Sequence, residues 1–321
     1  MDLTDLIQGR IDSDQFFEEN YLTDGMKSLL REAFRRFEGR SDSGVIKLTQ
    51  AMGGGKTHNM IVLGLLAKYP QFRKKVMGSL YEPSHLGEVR VIAFTGRESD
   101  SPYGIWGALA EQLGKKDEFR EYYSPLKAPG QTAWVNLLKG EPTLILLDEL
   151  APYLENAESI AVGNSDLSIV TTTAISNLLV SVGKGELSKV CVVISDLKAT
   201  RYRSGSDKLN KALQNLESEV GRVALPLEPV ALNTDEVYQI LRTRLFKDIP
   251  NTDDIRAVAQ AFAKAASDAK QMDITNVSPE KLAGLIEVSY PFHPAIKDLY
   301  ARFRENPGFQ QTRGLIKLMR I

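Results

Sequence analysis

The densest chemistry in the sequence lies in Gln50-Ala51-Met52-Gly53-Gly54-Gly55-Lys56-Thr57. These residues nearly match G-x-x-x-x-G-K-[ST], a spacing in which backbone N–H groups at a helix N-terminus cradle phosphates. A lysine then neutralises the β/γ oxygens and a hydroxyl binds Mg²⁺. Lys56 and Thr57 hold those last two positions, and Gly53, Gly54 and Gly55 are the backbone that approaches the phosphate. Gln50 stands where the first glycine is expected, so the loop must turn without that residue's freedom at positive φ; Gly53 and Gly54 are the candidates to compensate. His58 follows directly, in the first turn of the next helix, where it reads as structural although it borders the cofactor loop.

About ninety residues downstream, Leu144-Ile145-Leu146-Leu147-Asp148-Glu149 runs four apolar residues into two carboxylates. In a phosphate-loop enzyme the strand beside the loop must end in an acid that holds the water shell of Mg²⁺, and the next acid can polarise the attacking water. Thr57 and Asp148 fit the metal role and Glu149 the role of base. A third run, Val192-Val193-Ile194-Ser195-Asp196, could lie between those two strands and bring Ser195 or Asp196 to the γ-phosphate or the water. An ordinary strand-to-loop transition accounts for its spacing equally well.

Elements must hold these residues together. Val45–Thr49, Val89–Thr95, Leu144–Leu147 and Val190–Ser195 read as strands, with Val223–Leu227 as a fifth. Between them Thr57–Tyr69, Ile105–Leu113 and Thr171–Val182 carry helical apolar patterns. Alternation of this kind predicts an α/β fold with a parallel sheet covered by helices on both faces. A helical lead-in occupies residues 1–40, broken near Thr23 and Asp24, and its charged run Arg31–Arg36 reads as an exposed face. The core spans 41–230, and 231–321 reads as a smaller, helical C-terminal domain. The boundary falls near Pro229–Asn233, and Glu155–Asp166 is the expected mobile loop.

Composition removes several classes. With 40 Lys+Arg against 41 Asp+Glu and 43% hydrophobic residues, the chain suits a soluble protein with no global attraction for nucleic acid or anionic membranes. The basic stretch Lys198, Arg201, Arg203 is too small a cluster to change that. The single Cys191 sits in an apolar run and reads as a buried hydrophobe. No secretion leader or membrane span is visible, so a cytoplasmic location follows by default. His85 and His293 are too far apart in sequence to imply a metal site.

The order of GGGKTH (Gly53–His58), LILLDE (Leu144–Glu149), VVISD (Val192–Asp196), LPLEPV (Leu225–Val230) and QTRG (Gln311–Gly314) resembles AAA+-type P-loop ATPases. With YGIWGALAEQLG (Tyr103–Gly114) and YPFHP (Tyr290–Pro294), it looks more closely like the N-terminal ATPase region of large prokaryotic ATP-binding proteins encoded beside DNA methyltransferases and helicases in anti-phage defence islands. The resemblance implies a P-loop NTPase core with a helical lid and ATP with Mg²⁺ as cofactors. It also implies self-association through the nucleotide site, with methyltransferases or helicases as candidate partners. It assigns Arg313 to the γ-phosphate of its own subunit and Arg222 to a neighbour's site, with Arg201 and Arg203 as rivals. The resembling proteins are much longer, and the apolar helical pattern running to Ile321 fits a truncated lid.

Two functions stay open at this point: an ATPase that couples hydrolysis to assembly or remodelling, and a nucleotide-gated switch that binds ATP with little hydrolysis. A GTPase is disfavoured because no N-K-x-D or T-K-x-D run follows the fourth strand, and a helicase because no second core of the same kind follows residue 230.

Overall fold

The computed structural model describes residues 1–49, 53–97, 101–195, 207–230, 235–269, 277–303 and 311–319; Gln50, Asp196, Lys198, Arg201 and Arg203 lie outside the described residues. In chain order the first elements are α1 (Leu3–Ile7), α2 (Ser13–Glu18), α3 (Asp24–Phe37), β1 (Val45–Leu48), α4 (Lys56–Lys68) and α5 (Arg73–Met77). Next come β2 (Arg90–Thr95), α6 (Gly104–Gln112), α7 (Gln131–Leu138), β3 (Thr143–Asp148) and α8 (Leu150–Glu158). A short hairpin, β4 (Ala161–Val162) and β5 (Ser165–Asp166), leads to α9 (Leu167–Val182), β6 (Val190–Ser195), α10 (Asp207–Val223) and β7 (Leu225–Leu227). The remaining elements among the described residues are helices: α11 (Glu236–Leu245), α12 (Thr252–Asp268), α13 (Pro279–Ser289), α14 (Ile296–Phe303) and α15 (Gln311–Met319).

These elements fall into two compact units, one of Met1–Ser13, Gly25–Gln50 and Lys56–Pro229, the other of Asp14–Asp24, Ala51–Gly55 and Val230–Ile321. The first unit is built on a parallel five-stranded sheet in the order β2-β3-β6-β1-β7. The acid-bearing β3 is therefore not beside β1, as the sequence had suggested. β6 stands between them, the position considered for the Val192 run. From β1 the chain crosses to the far edge at β2, whereas from β6 it crosses to the opposite edge at β7. Neighbouring strands whose connections leave in opposite directions open a crevice at their carboxyl ends, where open α/β sheets bind ligands.

Helices flank the sheet. β3 and β6 are buried along their whole length, which is why they read as unbroken apolar runs. On one side Ile145, Leu147, Val192 and Ile194 share a core with Trp106, Trp134 and Leu178 from α6, α7 and α9. Trp106 explains much of the Tyr103–Gly114 string. Its Nε1 donates to the carbonyl of Tyr122 at 3.2 Å, and a Cβ on Gly104 would stand 2.8 Å from its ring. Elsewhere α4 is buried from Asn59 to Ala67, and Leu6 of α1 fills the hollow at Gly64, where a Cβ would stand 2.4 Å away. The edge strand β2 is blocked by Gln112, whose amide donates to and accepts from the backbone of Ala93, both at 2.8 Å.

Three further expectations require correction. Arg36 is not on an exposed face: it is 4% exposed and donates to the carbonyls of Val182 at 2.7 Å and of Ser41, Leu187 and Val190 at 2.9 Å. Burial holds its pKa below the usual arginine value. Arg73 does the same for the end of α4, donating to Leu66, Ala67, Leu86 and Gly87 at 2.6–2.9 Å under the Phe34 ring. A guanidinium presents five donors, enough to satisfy carbonyls left open where helices end. Second, Glu155–Asp166 is not a loose loop. It completes α8 and forms the β4–β5 hairpin, and Asp166 caps α9 by accepting from the N–H of Ile169 at 3.1 Å. Third, Val223 ends the helix α10 and only Leu225–Leu227 pair as a strand.

In the second unit α11, α14 and α15 share a small core of Val237, Tyr238, Leu241, Tyr300 and Leu315. Glu236 accepts from the N–H of Asp24 at 2.6 Å. α12 and α13 pair around Ala259, Ala263, Leu282 and Ile286. Among the described residues, no helix is long and apolar enough to cross a membrane.

Candidate functional site

The strand ends converge on one small group of side chains. β1 leads into the glycine loop, where Gly53 and Gly55 take φ of +82° and +88°. The freedom that the sequence assigned to Gly53 and Gly54 is thus used at Gly53 and Gly55, positions where any other residue would be strained. The loop delivers Lys56 and Thr57 to the first turn of α4, and the N-terminus of a helix favours an anion. His58 occupies the same turn and is partly buried.

Thr57 Oγ1 donates to Asp148 Oδ2 at 2.5 Å, joining the helix after β1 to the end of β3 across the intervening β6. Asp148 is 3% exposed and its other oxygen accepts from the N–H of Glu149 at 2.9 Å. The register carries neighbouring strand ends to the same level: Thr95 pairs with Asp148 and Leu48 with Ser195. Ser195, also 3% exposed, accepts at its Oγ from the N–H of Glu149 at 3.2 Å.

Glu149 stands at φ 51°, ψ 38°, the one non-glycine positive φ among the described residues. Such left-handed backbone costs of order 1–3 kcal/mol and persists only where neighbours enforce it. They do so here. Besides the shared N–H, the N–H of Gly96 donates to the carbonyl of Asp148 at 2.9 Å, and a Cβ on Gly96 would stand 1.7 Å from the carbonyl oxygen of Glu149. The Glu149 carboxylate is held by Arg97, Nε on one oxygen and Nη2 at 3.3 Å from the other. Sequence reasoning did not pick out Arg97. A signal was available: it follows β2 as Glu149 follows β3, and strand ends of a parallel sheet share one edge.

Thr57, Asp148, Glu149 and Ser195 are thus brought together, with Lys56 adjacent to Thr57 in the chain. Arg222 is not. It lies in the last turn of α10, just before β7 starts at the level of Ile46, away from the strand ends, and it pairs with Glu219 at 2.5 Å. Arg313 is the third residue of α15 with its side chain exposed, and in the same unit the preceding Thr312 donates to the carbonyl of Gly53 at 3.4 Å. Among the described residues, no group of three or more His, Cys, Asp or Glu forms a metal cage.

Two family models match the chain. The DUF499 N-terminal domain covers residues 2–82 and 96–224, and the DUF499 second domain covers residues 232–321. The first takes in the glycine loop and the ends of β3 and β6. No curated protein matches the chain.

Proposed function

The chain belongs to the DUF499 family, and we propose that it is an AAA+-like P-loop module that binds ATP with Mg²⁺ and hydrolyses it, coupling nucleotide state to assembly or remodelling. The observation that carries this reading is the 2.5 Å contact between the Thr57 hydroxyl and the Asp148 carboxylate, from residues distant in sequence, at the switch point of a parallel sheet. Mg²⁺ is usually held by one or two protein oxygens together with waters and phosphates. Thr57 and Asp148 fit that need without a protein cage, and the ion would neutralise phosphate charge there. Lys56 and the N–H groups around Gly53, Gly54 and Gly55 would receive the phosphate chain.

Glu149 is the base in this reading, the carboxylate that would polarise the attacking water, and the Ser195 hydroxyl on β6 accepts from its backbone N–H. Asp196 keeps the contact to the γ-phosphate or the water that its place after Val192–Ser195 suggests, and Arg313 and Arg222 keep the roles the AAA+ resemblance implies, Arg222 toward a neighbouring copy. DNA methyltransferases or helicases remain the suggested partners. A second reading, the nucleotide-gated switch with little hydrolysis, is favoured by the Arg97 pair, which ties up the carboxylate that must accept a proton.

Nucleotide binding and Mg²⁺-dependent turnover, measured across protein concentrations, test both. Lys56→Ala is expected to abolish ATP binding, and unchanged affinity would remove the phosphate-loop assignment. Glu149→Gln is expected to bind ATP and lose turnover. Tight binding with negligible turnover in both the native chain and this variant would favour the switch.

A further inference from the structure

We infer that Thr312 is a positioning residue for the phosphate loop: its hydroxyl sets which way the Gly53–Gly54 peptide faces, and so whether the loop can receive phosphate. The role rests on the nucleotide reading of that loop. Gly53, Gly54 and Gly55 fall in the same compact unit as Val230–Ile321, and not with β1 and α4, the elements they join. A glycine run has no side chains with which to fix itself, so what holds it must come from elsewhere. One such contact is the Thr312 hydroxyl, which donates to the carbonyl of Gly53 at 3.4 Å. Thr312 is 7% exposed and is the second residue of α15. One turn on, Leu315 is fully buried in the core shared with Val237, Tyr238 and Leu241 of α11. Residues three apart stand on one face of a helix, so the packing of Leu315 sets where the Thr312 hydroxyl lies.

The peptide plane carries this bond to the other side of the loop. The Gly53–Gly54 bond is trans. In a trans peptide the C=O of one residue and the N–H of the next point in opposite directions. Holding the Gly53 carbonyl against Thr312 therefore turns the Gly54 N–H away from α15. Gly53 at φ +82° and Gly55 at φ +88° flank this segment, and glycine takes either sign of φ, so the chain itself does not oppose a flip of the plane. After a flip, the N–H that would meet a phosphate oxygen is replaced by a carbonyl, an acceptor facing an acceptor. The buried hydroxyl decides between the two from a position 259 residues away in the chain.

The receptive arrangement aims several N–H dipoles at one point beside a helix N-terminus, which is unfavourable without an anion there. In the free protein the Thr312 bond works against that repulsion, so losing it moves the loop toward the flipped form by close to the full worth of the bond. Affinity for phosphate falls with the fraction of loops that can receive it. A neutral hydrogen bond ordinarily holds a preference of about two- to twelvefold. At 3.4 Å the bond is long for one between two oxygens, so the lower part of that range applies.

Two conservative variants of the 321-residue chain test this. Thr312→Val keeps the branched shape and removes the donor; Thr312→Ser keeps the donor and gives up the methyl. A packing role would follow volume, which valine keeps, whereas the positioning role follows the hydroxyl, which serine keeps. Glycine labelled with ¹³C at the carbonyl and ¹⁵N at the amide isolates Gly53–Gly54 and Gly54–Gly55, because these are the chain's two Gly-Gly bonds. Without nucleotide, Thr312→Val is expected to move or split the Gly53–Gly54 cross-peak, and Thr312→Ser to leave it in place. Calorimetric titration with Mg²⁺ and ATP should show affinity about two- to fivefold weaker for the valine variant and native affinity for the serine variant. Melting temperatures should stay within about 4 °C of native in both. A cross-peak indifferent to Thr312→Val, an affinity unchanged in that variant, or a serine variant that behaves like the valine one overturns the proposal and leaves the nucleotide reading standing. Absence of ATP binding by the native chain removes that reading, and the role of Thr312 falls with it.

Discussion

Removing Arg97 separates two roles that its place beside Glu149 allows. If Arg97 restrains the base, Arg97→Ala frees it; if Arg97 stabilises charge on the transferring phosphate, the same change removes catalysis. The structure sets the scale for the first. Arg97 and Glu149 are 72% and 37% exposed at the side chain, and ion pairs of that kind contribute about 0.2–1 kcal/mol. With RT near 0.6 kcal/mol, the restrained state is favoured by roughly 1.4- to 5-fold, so its loss raises kcat about two- to sixfold. KM for ATP should not change, because neither Lys56 nor Thr57 is touched. The melting temperature should fall by less than about 4 °C. Salt supplies a second handle: raising ionic strength screens the pair and should move native turnover toward that of the variant. Steady-state phosphate release over an ATP series reads all of this. The phosphate-contact role instead predicts a loss of about 10³-fold or more. A fall of that size, or an unchanged kcat, refutes the restraint; absence of turnover from both proteins leaves the switch reading.

Other outcomes follow from the same structure. Gly96→Ala places a methyl 1.7 Å from the carbonyl oxygen of Glu149 and should cost about 3 kcal/mol or more in urea unfolding, because backbone rather than a side chain must yield. Arg36→Met leaves the carbonyls of Val182, Leu187 and Val190 without their donor and should destabilise by about 3–5 kcal/mol; Arg36→Lys should not recover this, since one ammonium cannot span them. Burial pushes the Cys191 thiol up to about 12, so an aromatic disulfide reagent should leave the native protein unlabelled at pH 8 and modify one thiol after denaturation.

What was legible in the sequence depended on how local its cause was. β6 and β3 could be read because a strand buried on both faces is a continuous apolar run between its ends, here Leu144–Leu147 and Val190–Ile194, and α4 because its pattern follows a glycine loop. The Arg31–Arg36 run was misread because helical spacing tells which side a residue is on, not what covers it. Arg36 sits next to Phe37 on the buried side of α3, and three of the four carbonyls that take its donors, those of Val182, Leu187 and Val190, lie between the end of α9 and the start of β6, about 150 residues away. The hairpin inside Glu155–Asp166 was missed because strands of two residues carry no periodicity. Likewise, Gly53 and Gly54 are indistinguishable as letters, and only the path of the loop decides which takes positive φ.

The residue types and order of Gly53–Thr57, Asp148–Glu149 and Ser195 were set by the sequence alone, because their chemistry belongs to the side chains themselves. The alternating elements that carry them were set there too, since each hydrophobic period is local. Tertiary structure alone decided that β6 enters between β1 and β3, that Thr57 meets Asp148, that Glu149 turns left-handed under Gly96 and Ser195, and that Arg97 holds its carboxylate. These are distances between segments far apart in the chain. They follow from strand order and register, which many sequences with the same local periods could satisfy differently and which the packing of the sheet resolves.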